Sequence, residues 1–228
     1  MSFRLSIIIP TLNAADALPE TLDCLLPGVA AGVIREVIVS DGGSADATLE
    51  IADDAGAVIV RGAAGRGGQL RRGAALARAD WLLFVHADTH LPPDWVGALA
   101  VHAQQHPGDA AAFRLKFRAR GLAPRLVAGW ANLRSRAFGL PYGDQGLLIP
   151  AAVYAETGGF PDQPLMEDVA LARALRGRLR LLPARVETGA ERYLAGGWLR
   201  RGARNLWLLL RYLGGADPSD LAKAYHKS

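Results

Sequence analysis

Four short strand patterns constrain this fold more than anything else in the chain. Leu5–Ile9, Glu36–Ser40, Ala57–Val60 and Trp81–Val85 are apolar runs of strand length. Helical patterns fill the gaps. Ala17–Leu26 reads as a short helix. Ala45–Ala55 reads as another, with Ser44 as its cap and Gly56 just past its end. Gln69–Arg78 puts Leu70, Ala74 and Ala77 on one face. The order β-α-β-α-β-α-β predicts an α/β fold with a mostly parallel, doubly wound sheet and helices on both faces. Ligands of such sheets bind at the carboxyl ends of the strands.

The second half is less regular. The pattern predicts helices over Asp94–His106, Leu122–Phe138 and Glu167–Arg176, and strands over Ala110–Phe117, Gly146–Ile149 and Leu179–Leu182. A long helix over Leu199–Leu213 is apolar on more than one face. No repeat or low-complexity linker divides the 228 residues, so a single domain over 1–228 is expected.

Composition narrows the function. The first apolar stretch is too short for a signal peptide, and no run approaches the ~20 apolar residues of a membrane span. Cys24 is the only cysteine, which excludes an internal disulfide and makes the cytoplasm the default compartment. The net charge of +4 comes from arginine gathered late, including Arg173, Arg176, Arg200, Arg201, Arg204 and Arg211. Arginine suits phosphate oxygens. No helix-turn-helix, zinc finger or aromatic-basic RNA signature accompanies the charge, so no nucleic-acid partner is expected.

Chemistry-bearing residues sit at the strand ends. Pro10-Thr11-Leu12-Asn13 follows the first strand, Asp41-Gly42-Gly43-Ser44 the second, and His86-Ala87-Asp88-Thr89 the fourth. Thr11 and Asn13 are placed to meet a ligand at the sheet edge, and Asp41 to accept hydrogen bonds from a base or ribose. Glu167-Asp168 opens a later helix, where the dipole favours a charged carboxylate. Gly65-Arg66-Gly67-Gly68 has glycines, but Leu70 breaks G-x-G-x-x-G and no P-loop is present.

The ordered set, strand-Pro-Thr-x-Asn, strand-Asp-Gly-x-Ser, strand-x-Ala-Asp and then Glu-Asp before a helix, resembles a family 2 glycosyltransferase of the GT-A fold over roughly Leu5 to Arg192. His86–Thr89 and Gly143–Gly146 resemble the His-Ala-Asp-Thr and Gly-Asp-Gln-Gly motifs of a small bacterial subgroup. The resemblance implies an inverting transferase. Pro10, Thr11, Asn13 and Asp41 would line the nucleoside pocket, with Arg66, Arg71, His86 and Arg192 also on the donor. Asp88 would hold Mg2+ or Mn2+ on the diphosphate. Asp168, with Glu167 beside it, would be the general base, and Asp144, Gln145 and Gly146 would lie near the acceptor. Residues 1–117 would form the donor half, 118–195 the acceptor and catalytic half, and 196–228 a helical segment.

Three departures from the family pattern stand out. His86 replaces the first acid of Asp-x-Asp. Gln69-Leu70-Arg71-Arg72-Gly73 stands where Ala-Arg-Asn-x-Gly is common. Glu191-Arg192-Tyr193 with a later Trp198 is not Gln-x-x-Arg-Trp, which argues against a processive synthase. Rival readings are a metallohydrolase using His86, Asp88 and His90, a nucleotidyltransferase, and a nucleotide-sugar-binding protein without catalysis. The basic Leu199–Leu213 helix packs on the core or lies on anionic lipid, the latter suiting a lipid-linked acceptor.

Overall fold

A computed structural model of the chain describes residues 3–226, except for the side chains of Arg192 and His226. Strands β1 (Leu5–Thr11), β2 (Ile34–Asp41), β3 (Val58–Arg61) and β4 (Trp81–Phe84) are parallel, in the order β3-β2-β1-β4. Leu5, Ile7, Ile8 and Ile9 are fully buried, as a central parallel strand covered on both faces requires. The predicted helix over Ala17–Leu26 is instead two, α1 (Leu18–Asp23) and α2 (Leu26–Ala30). Pro27 lacks the N–H that would continue the first into the second. Helix α3 (Thr48–Asp54) follows β2, and α4 (Arg66–Leu76) follows β3. A Cβ at Gly73 would lie 2.5 Å from Ile8 Cγ2, so only glycine lets α4 press this closely on the sheet.

The remaining strands are β5 (Thr89–His90), β6 (Ala110–Phe117), β7 (Leu147–Pro150) and β8 (Leu179–Thr188), and the full order is β3-β2-β1-β4-β7-β6-β8-β5. β7 runs antiparallel between β4 and β6. β8 runs past the predicted end at Leu182. Its register against β6 shifts between Ala112 and Arg114, and this irregularity accommodates Pro183. Helices α5 (Trp95–Gln105), α6 (Leu122–Phe138), α7 (Ala151–Glu156) and α8 (Glu167–Ala174) cover the sheet. α9 (Glu191–Gly196), α10 (Trp198–Leu213) and α11 (Pro218–His226) complete the chain. Leu208 and Leu209 of α10 and Leu221 of α11 share a buried cluster with Leu140, Met166, Val169 and Ala172. The carboxyl-terminal helices therefore form the floor under α8. No described helix is long and apolar enough to cross a membrane.

Candidate active site

The crevice opens where the strand order reverses, between β1 and β4. Val85 N–H donates to Ile8 O at 3.0 Å, and the ladder between the two strands pairs no further than Ile8 and Phe84. Pro10, two residues on, faces the same side beyond this end. Its missing N–H costs nothing there, and the strands part.

One rim of the crevice is stitched by long-range hydrogen bonds. Asp41 is buried and accepts from Gly43 N–H at 2.7 Å, Ser44 N–H at 2.9 Å, Ser44 Oγ and Thr11 Oγ1 at 3.1 Å. Burial alone would raise its pKa. The donors from Ser44, Gly43 and Thr11 outweigh that and hold it below the usual carboxylate range. Asn13, in a left-handed conformation, accepts from Ala45 N–H at 2.9 Å and donates its own N–H to Ser44 Oγ at 2.8 Å. The sequence suggests Ser44 as a helix cap, but its hydroxyl bridges Asp41 and Asn13 instead. α3 begins at Thr48, whose N–H donates to Asp46 Oδ1 at 3.1 Å. Gln69, whose role the sequence did not reveal, donates from Nε2 to Thr11 O at 2.7 Å and Ser40 O at 2.9 Å, joining β1, β2 and α4.

The other rim gathers charge. Arg66, Leu70, Phe84, His86, Tyr142, Gly143, Gly146, Glu167 and Asp168 line one pocket. A Cβ on Gly67 would lie 2.2 Å from Pro161 O, so the glycines after Arg66 let α4 abut the segment leading into α8. Arg66 Nη1 then stands 3.4 Å from Glu167 Oε1, an ion pair without a hydrogen bond. Burial, and then the neighbouring Asp168 charge, push the Glu167 carboxyl up to about 7 against the pull of Arg66. Asp168 Oδ2 accepts Gly143 N–H at 2.8 Å, which ties α8 to the Gly143–Gln145 turn. Met166, just before this pair, is left-handed with φ 65°. Such strain persists only where surrounding packing enforces it, and Met166 is buried in the cluster beneath α8.

Asp144 lies in the same turn. Its Oδ1 is buried and takes no hydrogen bond. Burial lifts its carboxyl to about 6; Arg134 and Arg66 oppose this, and the charges of Asp168 and Asp88 add to it. Arg134, a second residue not anticipated, is buried, donates from Nε to Leu140 O at 2.8 Å and places its guanidinium 3.3 Å over the Tyr142 ring.

Asp88 ends the chain's turn away from β4. Its carbonyl accepts Arg118 Nη1 at 2.9 Å. Its carboxylate lies 3.4 Å from the point where a Cβ on Gly189 would stand, and Glu191 Oε2 lies close to the same point. Among the described residues no three His, Cys, Asp or Glu side chains form a metal cage. Two hard carboxylates at an open crevice fit instead an Mg2+-type ion completed by substrate phosphates. The metallohydrolase reading fails on geometry. His90 sits in β5 opposite Glu187, with Nε2 3.3 Å from Glu20 Oε2, and does not converge with His86 and Asp88.

The glycosyl transferase family 2 profile matches residues 6–138. This chain belongs to glycosyl transferase family 2. It is 37% identical over 113 residues to a PGL/p-HBAD biosynthesis glycosyltransferase of Mycobacterium tuberculosis, covering 46% of this chain and 43% of that one. It thus spans less than half the length of the curated relatives it matches. The fold is similar to that of Staphylococcus aureus TarS 1–349, with TM-score 0.66 and 18% identity over 82% of this chain and 60% of that one. It is also similar to glucosyl-3-phosphoglycerate synthase from Mycobacterium tuberculosis, solved with Mn2+, UDP and phosphoglyceric acid, with TM-score 0.56 and 22% identity over 82% and 69% of the two chains.

Within this family 2 chain, two expected contacts move. Arg71 is exposed on a different face of α4 from Arg66, where its charge acts on Tyr154, and does not line the pocket. Gln145 is 0% exposed. Its Nε2 donates to Phe113 O at 2.9 Å and its Oε1 accepts Ser135 Oγ at 2.7 Å, so it braces the turn and cannot meet an acceptor. Gly146, also buried, lines the pocket with φ 62°. The side chain of Arg192 lies outside the described residues.

The raised Glu167 carboxyl gives a pH-dependent signature. Folded chains keep a proton there that unfolded chains release, so this residue's contribution falls as pH rises from the ordinary carboxylate range through about 7. His90 and His102, held down mainly by burial, act in the opposite direction below their ordinary range. The difference between parent and Glu167→Gln isolates the effect. In thermal unfolding from pH 5 to pH 8, the variant gains stability relative to the parent as pH rises. A constant difference would show that Glu167 is ionised throughout.

Proposed function

We propose that the protein is a cytoplasmic, inverting glycosyltransferase that moves a sugar from a nucleotide-sugar donor to a hydroxyl acceptor, with a divalent cation at Asp88. The observation that carries this reading is the convergence of Arg66, His86, Asp144, Glu167 and Asp168 beside the β1–β4 crevice of a family 2 chain. The donor's nucleoside lies on the rim made by Pro10, Thr11, Asn13 and Asp41, within residues 1–117. The acceptor lies by Asp144 and Gly146, within residues 118–195. Its oxygen attacks the anomeric carbon from the face opposite the diphosphate. The new C–O bond forms as the bond to the diphosphate oxygen breaks, and Asp168 takes the hydroxyl proton.

Mg2+ or Mn2+ between Asp88 and the phosphates would neutralise charge on the leaving group. Arg66 supplies fixed positive charge from the protein, with the Glu167 carboxyl 3.4 Å away. Within the segment 196–228, α10 and α11 support α8 and bring a membrane-peripheral face through 199–213. Structures of TarS 1–349 solved with UDP or UDP-GlcNAc, and of the synthase solved with Mn2+ and UDP, support the choice of donor class.

A thermal-shift screen of nucleotide-sugars with and without Mn2+ tests the reading, because a ligand that binds only the folded state raises the melting temperature by mass action. At least one nucleotide-sugar should stabilise the chain, and more so with Mn2+. A full panel of nucleotide-sugars without effect, in either condition, would remove the donor assignment.

A further inference from the structure

Two helices together carry an exposed apolar platform. On α6, Leu122 is 76% and Leu126 66% exposed, and Trp130 and Leu133 are exposed with them. On α10, Leu199 is 72% and Leu210 59% exposed, together with Trp207 and Leu213. The buried residues of α6, Ala128, Ala131, Arg134 and Ser135, occupy its other face. Leu208 and Leu209 do the same for α10.

The two helices run parallel. A Cβ on Gly202 would lie 3.7 Å from Val127 Cγ2 near the amino ends, and Leu213 shares a groove with Phe138 near the carboxyl ends. At about 100° per residue, the exposed stripe on α6 is about a quarter-turn from Val127, and that on α10 about a quarter-turn from Gly202, in opposite rotational senses. In parallel neighbours this turns both stripes to the same side. The same wheel places Arg125 and Arg136 on the outer edge of the α6 stripe, and Arg200 and Arg211 on the outer edge of the α10 stripe.

An apolar strip with a cationic border on each side matches an anionic bilayer. Leucine and tryptophan enter the interface while arginines reach lipid phosphates from the edges. Neither α6 nor α10 contains an Asp or Glu. A second copy of this chain would therefore set arginine borders against arginine borders with no acid from these helices to offset them. Where the two carboxyl ends meet, Arg136, Arg173 and Arg176 line a groove of about 450 Å3 with Phe138, Leu140 and Leu213, a seat for a phosphate headgroup.

We infer that α6 and α10 together form a docking face for an anionic membrane surface. The inference deepens the peripheral contact proposed for 199–213, and it is independent of the donor assignment. The test is co-sedimentation of the full chain with phosphatidylcholine vesicles, with and without phosphatidylglycerol, at low and high salt. The parent should sediment with the anionic vesicles at low salt and be released at high salt. Replacing Arg125, Arg136, Arg200 or Arg211 by Gln should weaken binding about fivefold for each arginine. Leu126→Glu and Leu210→Glu, both at exposed sites, should each abolish sedimentation with unchanged melting temperatures.

A parent that stays in the supernatant overturns the inference. So does parent-like binding by Leu126→Glu, which would confine contact to α10. Concentration-dependent self-association that Leu126→Glu removes, without vesicle binding, would assign the face to a second copy. Nucleotide-sugar thermal shifts on the same samples keep this separate from the transferase reading, since either can fail while the other stands.

Discussion

Asp168→Asn is expected to lower turnover by roughly 10²–10⁴-fold with donor affinity close to that of the parent. The substitution is nearly isosteric. The amide oxygen can still accept Gly143 N–H, which meets Asp168 Oδ2 at 2.8 Å, so the Gly143–Gln145 turn stays in place. What is lost is the capacity to take a proton. A hydroxyl acceptor is a poor nucleophile until that proton leaves, so the loss falls on the chemical step. In kinetic terms kcat drops and KM for the donor holds. Near-parent kcat in Asp168→Asn would remove this residue from the mechanism and direct attention to Asp144, whose buried carboxyl lies in the adjoining turn.

Asp88→Ala is expected to abolish the Mn2+ dependence of nucleoside-diphosphate binding and to leave weaker, metal-independent affinity for the nucleoside. An ion shared between protein and phosphates adds to binding only through its protein ligand. With Asp88 removed, the Glu191 carboxylate still lies close to that point, and one carboxylate holds a hard ion less firmly than two. Titration calorimetry with UDP and GDP, with and without Mn2+, reads the effect directly. Parent-like, metal-dependent binding in the variant would place the ion elsewhere and make His86 the better account of that position.

The parallel half of the sheet was legible because its signals are local. Four apolar strands and the helices between them follow from patterns within single segments, and Ala110–Phe117 and Leu122–Phe138 have the expected bounds. Less could be read wherever a partner far along the chain decides. Ser44 has the composition of a helix cap, but its hydroxyl serves Asp41 and Asn13. Gln69 finds its carbonyl partners 58 and 29 residues away, and nothing in its own segment marks it. The four apolar residues of β7 carry no sign of direction, so its antiparallel course depends on its neighbours. Gln145 sits in the motif that resembled an acceptor site, but its amide is consumed by β6 and α6. At the candidate site, motif order singled out Asp144 and Asp168, which the fold brings into adjoining turns. It could not show that Arg66 reaches Glu167, because that contact depends on how tightly Gly67 lets two distant segments meet.

The cluster of Leu208, Leu209 and Leu221 with Met166 and Val169 bears on how shortened forms of this protein should be interpreted. These methyl groups hold up the first turn of α8, including the left-handed Met166 that aims Glu167 and Asp168. A chain cut before Trp198 would lose the counterweight to that turn. Its inactivity would be mechanical in origin, although no reacting atom had been removed. Point changes on the outward faces of α6 and α10 leave the cluster whole, so their effects do not carry this mechanical component.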